Sequence, residues 1–362
     1  MSNITEALNQ RAFLIPQADF TTESHKEIIK FIINKHGERE ASEIVLIDEN
    51  DDYDSFFVRI GDRAFCIKIS FDSVAIFYEY MILKGIQNLN ISPVIYDKGE
   101  VEFGKKIYYT IQSYDRSTNL KDIGASNILD EQHQDFNIAL VSLHRYEIPD
   151  GVFDYLDNNQ SYLEYHDINF NSILSYVDAS EQVEYEFIKS IFQETYSEMM
   201  DLFIKNKEKI QQKQLVHGNL NLRTIIVNNY IYRFINLENA FTGSPFFDLC
   251  NLVFELQMSG IKEHDFITKK IDQYKLCENR LKAGKFLEEY KICKEIWTRK
   301  KFLDLIVRYL KEVIILNKSR VPKMAQLSSD FSNHFYRFDK IKAFNENRHI
   351  LLDKFSELMV DY

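Results

Sequence analysis

Cysteine is scarce: Cys66, Cys250, Cys277 and Cys293 are the only four in 362 residues. That is too few for a disulfide framework, and no CxxC or His-paired spacing marks a metal site. Glycine (11) and proline (5) are also sparse, so long turn-rich connections are not expected. No apolar run approaches the roughly 18 residues needed to span a bilayer as a helix. Positive charge is in deficit, with 44 Lys and Arg against 55 Asp and Glu, a net −11. This argues against nucleic acid as a partner, since that affinity comes mainly from cations on phosphates. The opening residues Met1 to Glu6 show neither the basic nor the apolar part of a secretory signal, so the expected location is cytoplasmic. What the chain does have is core material: 45% hydrophobic and 14% aromatic residues. That is enough for one large or two modest domains.

The pattern changes along the chain. Ser24 and Glu27 have capping-box spacing, predicting a helix from Ser24 to about Lys35 with Gly37 as its stop. Short β-rich runs follow at 44–47, 55–60 and 64–69, with Gly61-Asp62 as a hairpin turn. The spacing then predicts a helix over 73–83 and strands near 94–96 and 106–112. That makes five strands with one helix after the third. Beyond about Asp130 the pattern is helical, with apolar stripes at 187–203 and 303–314 read as core. It breaks at 215–241, where two β-rich runs flank Asn228-Asn229. The expected organisation is α+β. A helical extension (1–39) precedes a small β-rich lobe (40–113), and a large helical lobe (114–362) carries the hairpin 215–241.

One segment stands out. Leu215-Val216-His217-Gly218-Asn219 leads through Thr224 into Ile225-Ile226-Val227. Phe234-Ile235-Asn236-Leu237-Glu238 follows, and then Gly243-Ser244-Pro245 with Asp248-Leu249 opening a helix. This line resembles the catalytic core of the aminoglycoside phosphotransferase and choline kinase-like families. There an H-G-D-x-x-x-x-N loop precedes an I-D-x-E metal segment and a G-x-P-x-x-D-L helix start. The N-terminal part is similar too. Lys68 stands where the family has its phosphate-pairing lysine, and Glu79, eleven residues on, where the next helix supplies its partner. Leu143-His144 resembles the family's L-H segment. The resemblance covers about residues 40–255 and implies a protein-kinase-like two-lobe fold. It also implies ATP and Mg²⁺ as cofactors, Gln112 and Tyr114 at the lobe junction beside the nucleotide, and bracing roles for His217 and Asp248.

The departures fall on the chemistry. Phosphoryl transfer needs a carboxylate at the acceptor hydroxyl and oxygen ligands on the metal. The base position is Asn219, whose amide cannot take a proton in that role. The metal positions are Thr224 and Asn236, leaving Glu238 as the one expected acid. The stretch that covers the phosphates in the family is Asp48 to Asp54, with five carboxylates and no glycine between Gly37 and Gly61. These acids either point into water or repel a triphosphate. The reading is a pseudokinase, working through a small-molecule ligand or a protein partner, with closure about Gln112-Ser113-Tyr114 as its switch. The alternatives are an active small-molecule phosphotransferase with an atypical site, and a structural subunit of a larger assembly. His166-Asp167 and His264-Asp265 read as exposed polar pairs, Cys277 and Cys293 as buried thiols, and Trp297 with Arg299-Lys300-Lys301 as a helix end with a solvated turn.

Overall fold

A computed structural model describes residues 22–37, 41–49, 53–114, 118–124, 134–146, 163, 182–210, 214–229, 231–258, 260–268, 283–310, 338, 341–349 and 351. They fall into two compact units. The first joins Met1–Asp157 to Gln212–Phe286, and the second joins Asn158–Gln211 to Leu287–Tyr362.

The first unit is built on an antiparallel sheet. Helix α1 (Thr22–Lys35) precedes β1 (Glu43–Glu49), β2 (Asp54–Ile60) and β3 (Arg63–Ser70), and then helix α2 (Ser73–Ile86) and strands β4 (Ile95–Phe103) and β5 (Lys105–Ser113). The five strands and the helix after the third are as expected, and the spatial order is β1-β2-β3-β5-β4. Alternation along the strands sorts their two faces. Phe56, Val58, Ile60, Ile67, Ile69, Ile107 and Tyr109 pack with Ile28, Ile29, Ile32 and Ile33 of α1. The intervening residues form the other face. Register places Ser55 opposite Lys68, Lys68 opposite Thr110 and Cys66 opposite Gln112.

Two expectations are corrected here. Helix α1 begins at Thr22, so Ser24 lies inside it. Glu27 does not close a capping box but accepts from Lys30 Nζ at 2.7 Å. Strand β4 runs well past the short 94–96 prediction. It is an edge strand, and Asp97, Lys98, Glu100 and Glu102 are not buried, so its apolar signal is thin.

The rest of the first unit carries the loop segment. Strand β6 (Thr118–Asn119) leads into a helical turn, α3 (Leu120–Ile123), and helix α4 (Gln134–Arg145). In the second unit, helix α5 (Gln182–Lys205) and turn α6 (Lys207–Ile210) follow. Back in the first, β7 (Leu215–Val216), β8 (Ile225–Asn228), β9 (Ile231–Phe234) and β10 (Phe241–Thr242) frame the loop before helix α7 (Phe246–Met258). Strands β8 and β9 pair as the expected hairpin, and Asn229 takes a positive φ of 48° in the turn.

Helix α8 (Ala283–Leu310) and the short α9 (Lys342–Glu346) complete the described elements. The Trp297 expectation is overturned: it is buried in the interior of α8. Its basic neighbours are helical and paired, Arg299 Nε to Glu198 at 3.0 Å and Lys300 Nζ to Asp304 at 3.0 Å. Asp304 lies one turn further along α8, and Glu198 lies on α5. Among the described residues no helix is long and apolar enough to cross a membrane.

Candidate functional site

The site lies wholly in the first unit and has two halves. On the sheet, Lys68 is the inward residue of β3 on the face opposite α1. Helix α2 is capped by Asp72, whose carboxylate accepts from Val74 N–H. It buries Ile76, Leu83 and Ile86, and Glu79 shares that face by the 3–4–7 spacing. The two side chains meet: Lys68 Nζ lies 2.6 Å from Glu79 Oε1, with both almost fully buried. Gln112 Nε2 donates to Glu79 Oε2 at 3.1 Å, which fixes the carboxylate's second oxygen.

The loop half approaches the same ammonium. Lys68 Nζ donates to Asn236 Oδ1 at 3.0 Å and lies 3.7 Å from Glu238 Oε2. Asn236 has φ 63° and ψ 58°, a left-handed conformation that asparagine tolerates better than most residues. Burial works against the Lys68 charge, but Glu79 and Glu238 outweigh it and hold the ammonium well above its ordinary pKa. Tyr53, ahead of β2, completes the cluster. Its hydroxyl donates to Glu238 Oε1 at 3.1 Å, and Lys68 Nζ sits 4.1 Å from the centre of its ring.

The 217–224 loop is braced from below. Asp248, at the start of α7, accepts from His217 N–H at 2.7 Å and from Gly218 N–H at 3.0 Å. His144 Nε2 lies 3.0 Å from the same carboxylate. The His217 ring meets the Ile235 carbonyl through Nε2 at 3.0 Å, so that nitrogen donates. Its Nδ1 then accepts from Asn219 N–H at 3.3 Å. These two contacts define a neutral imidazole, and burial lowers its pKa below the ordinary 6.5.

A pH prediction follows from that direction. A depressed folded-state pKa contributes stability that is complete above the unfolded value, about 6.5 for histidine, and is lost as pH falls through the folded one. The melting-temperature difference between wild type and His217→Gln should therefore shrink as pH falls below about 6.5. Melting curves from pH 7.5 downward check this against an expectation of a constant difference if His217 does not titrate.

Inside the loop, Asn221 makes an Asx turn, Oδ1 accepting from Arg223 N–H at 2.9 Å and Thr224 N–H at 3.2 Å. Its Nδ2 donates to the Asn219 carbonyl at 3.0 Å. The Thr224 hydroxyl accepts from Asn221 N–H at 2.9 Å and reaches the Asn219 and Asn221 carbonyls at 3.2 and 3.1 Å. Thr224 thus staples the loop.

The donors present do not suit Mg²⁺. That ion prefers anionic oxygens in a near-octahedral set. Here Asn219 and Asn236 are amides, and Asn236 Oδ1 already accepts from Lys68. The Thr224 hydroxyl is engaged within its loop, and Glu238 is held by Tyr53 and Lys68. Among the described residues no three His, Cys, Asp or Glu side chains converge as a metal site.

Beside this cluster a cavity of about 280 Å³ is walled by Ile47, Cys66, Pro93, Tyr114, Ile226 and Ile235. Its polar lining includes Asp48, Lys68, Gln112, Arg223 and Asn236. Burial pushes the Cys66 thiol up to about 12, so it is an inert wall group. The structure thus brings Lys68, Glu79, Gln112, Asn236 and Glu238 together, and Tyr114 lines the cavity beside them. His217 and Asp248 brace the loop that carries Asn219 and Thr224. Of the acidic 48–54 stretch, Asp48 and Glu49 extend β1 and Asp54 opens β2, while residues 50–52 lie outside the described residues. His264 and Asp265 are exposed as expected, and Cys293 is buried. His166, Asp167 and Cys277 lie outside the described residues.

Sequence reasoning passed over Asn221 and Tyr53. The Asn-x-x-Thr spacing of an Asx turn was there to be read for the first. For the second, the signal was one aromatic residue at the end of an acidic run.

No protein-family profile matches the chain, and no curated protein matches it in sequence. Solved structures do. Plasmodium vivax ethanolamine kinase aligns with a TM-score of 0.62 at 13% identity, covering 84% of this chain and 88% of that one. Choline kinase LicA from Streptococcus pneumoniae aligns at 0.53 and 16% identity, over 77% and 90%. A thermostable mutant of aminoglycoside phosphotransferase APH(4)-Ia, in a ternary complex with AMP-PNP and hygromycin B, aligns at 0.53 and 13% identity, over 80% and 98%. With the braced loop and the Lys68–Glu79 pair, these likenesses establish that the chain has the protein-kinase-like two-lobe fold of the aminoglycoside phosphotransferases and choline and ethanolamine kinases.

Proposed function

We propose that this protein is a pseudokinase of that fold, which binds a nucleotide-derived ligand in its cleft and does not transfer a phosphoryl group. The observation that carries this reading is Asn236. The residue at the expected metal-binding acid is a neutral amide whose oxygen is taken by Lys68 at 3.0 Å. Asn219 extends the argument, since an amide at the base position cannot accept the acceptor's proton. Ligand class is suggested by the aminoglycoside phosphotransferase that holds AMP-PNP, and by a cavity with apolar walls and few polar groups.

Restoring the acids tests it. The triple variant Tyr53→Ala/Asn219→Asp/Asn236→Asp, which also removes the ring packed on Lys68, should gain Mg²⁺-dependent ATP turnover, by about 10²-fold or more over wild type if the frame is intact. Wild-type turnover that does not rise in the triple variant would contradict the proposal.

A further inference from the structure

The phosphate end of the cleft is filled by the protein's own side chains. A lysine ammonium has three protons. At Lys68 two are committed to Glu79 at 2.6 Å and Asn236 at 3.0 Å. The remaining direction is covered by the Tyr53 ring at 4.1 Å, with Glu238 at 3.7 Å. Tyr53 is only 4% exposed, and its hydroxyl is tied to Glu238. The ring therefore packs on the ammonium beside the Glu238 carboxylate and takes up space next to both charges, where a phosphate and its metal would otherwise sit.

Charge points the same way. Glu79 and Glu238 outnumber Lys68 two to one, so the buried cluster is net negative. On the cavity wall Asp48 and Arg223 offset each other. A polyphosphate brought here would have to expel a buried aromatic ring and break a hydrogen bond to Asn236. It would also meet two carboxylates at low dielectric. None of this burdens a ligand confined to the cavity beside Lys68.

We infer that Tyr53 is an internal plug for the phosphate end of the cleft, so that the cavity takes an uncharged ligand of nucleoside class and excludes nucleoside triphosphates. This rests on the reading of the cleft as a site for a nucleotide-derived ligand and narrows it to one without phosphates. Only compact ligands fit: about 280 Å³ lies just under the range for drug-sized molecules.

The test is calorimetric titration of the full chain with adenosine and with ATP in excess Mg²⁺, on wild type, Tyr53→Ala and Tyr53→Phe. Wild type should bind adenosine at least about tenfold tighter than ATP. Tyr53→Ala should tighten ATP by about tenfold while leaving adenosine nearly unchanged. Tyr53→Phe keeps the ring but loses the tie to Glu238, and should fall between. ATP binding to wild type as tightly as adenosine would overturn the inference, as would binding of neither ligand. Both readouts need only wild type, so they hold even if Tyr53→Ala does not fold. An affinity order unchanged in a folded Tyr53→Ala would also overturn it. ATP turnover by wild type defeats the pseudokinase reading instead, and is measured separately from the affinity ratio.

Discussion

Lys68→Ala is expected to cost about 3–5 kcal/mol of stability, the range for removing one partner of a buried ion pair. Glu79 and Glu238 would be left as facing buried carboxylates with the cation between them gone, and Asn236 Oδ1 would lose its donor. For a compact unit of this size the loss corresponds to a fall in melting temperature on the order of 10 °C. The double variant Lys68→Met/Glu79→Met removes charge from both sides. It should recover part of the loss, because apolar replacement of a buried pair is often nearly neutral. Denaturant unfolding of the two variants beside wild type makes the comparison. A single-variant loss below about 1 kcal/mol, the scale of an exposed pair, would mean that the ammonium is not buried as described.

Gly218→Ala is expected to rank next. Gly218 has φ +78°, and a Cβ there would stand 1.9 Å from the Asn239 carbonyl oxygen and 2.8 Å from its carbon. The obstacle is backbone, which cannot swing aside as a side-chain tip can. A left-handed alanine alone costs about 1–2 kcal/mol. Clearing the overlap must then displace the loop that Asp248 holds through the His217 and Gly218 N–H groups. The total should exceed about 2 kcal/mol. Gly61→Ala is a control: it also has a positive φ, 59°, but nothing stands near its missing Cβ. It should cost only the conformational part, about 1–2 kcal/mol. Equal losses in the two variants would show that the Asn239 contact does not matter.

How far the sequence disclosed this arrangement varied with the kind of signal. Lys68 and Glu79 were legible through the resemblance, which sets a lysine on the third strand and its partner acid on the following helix, and the structure joins them at 2.6 Å. His217 and Asp248 were legible through the loop and helix-start motifs, and hydrogen bonds at 2.7 and 3.0 Å give them their bracing geometry. Asn236 was read as a lost acid, but its acceptance of a Lys68 proton depends on two segments 168 residues apart. Tyr53 was missed for the same reason: its partner Glu238 lies 185 residues away, beyond any local pattern. Strand β4 was shortened because an edge strand shows half its side chains to water. Trp297 was misplaced because the basic run after it reads as a helix end, whereas α8 continues to Leu310.

The most direct measurement of the central claim is phosphoryl transfer from ATP by wild-type protein with Mg²⁺, across amino-alcohols, sugars and aminoglycosides, beside Glu238→Ala. Glu238 is the one acid left where the resemblance implies metal ligands, so on the rival reading any transfer would depend on it. The account predicts no transfer by wild type above the level seen with Glu238→Ala. Mg²⁺-dependent transfer to any of these acceptors that disappears in Glu238→Ala would contradict it.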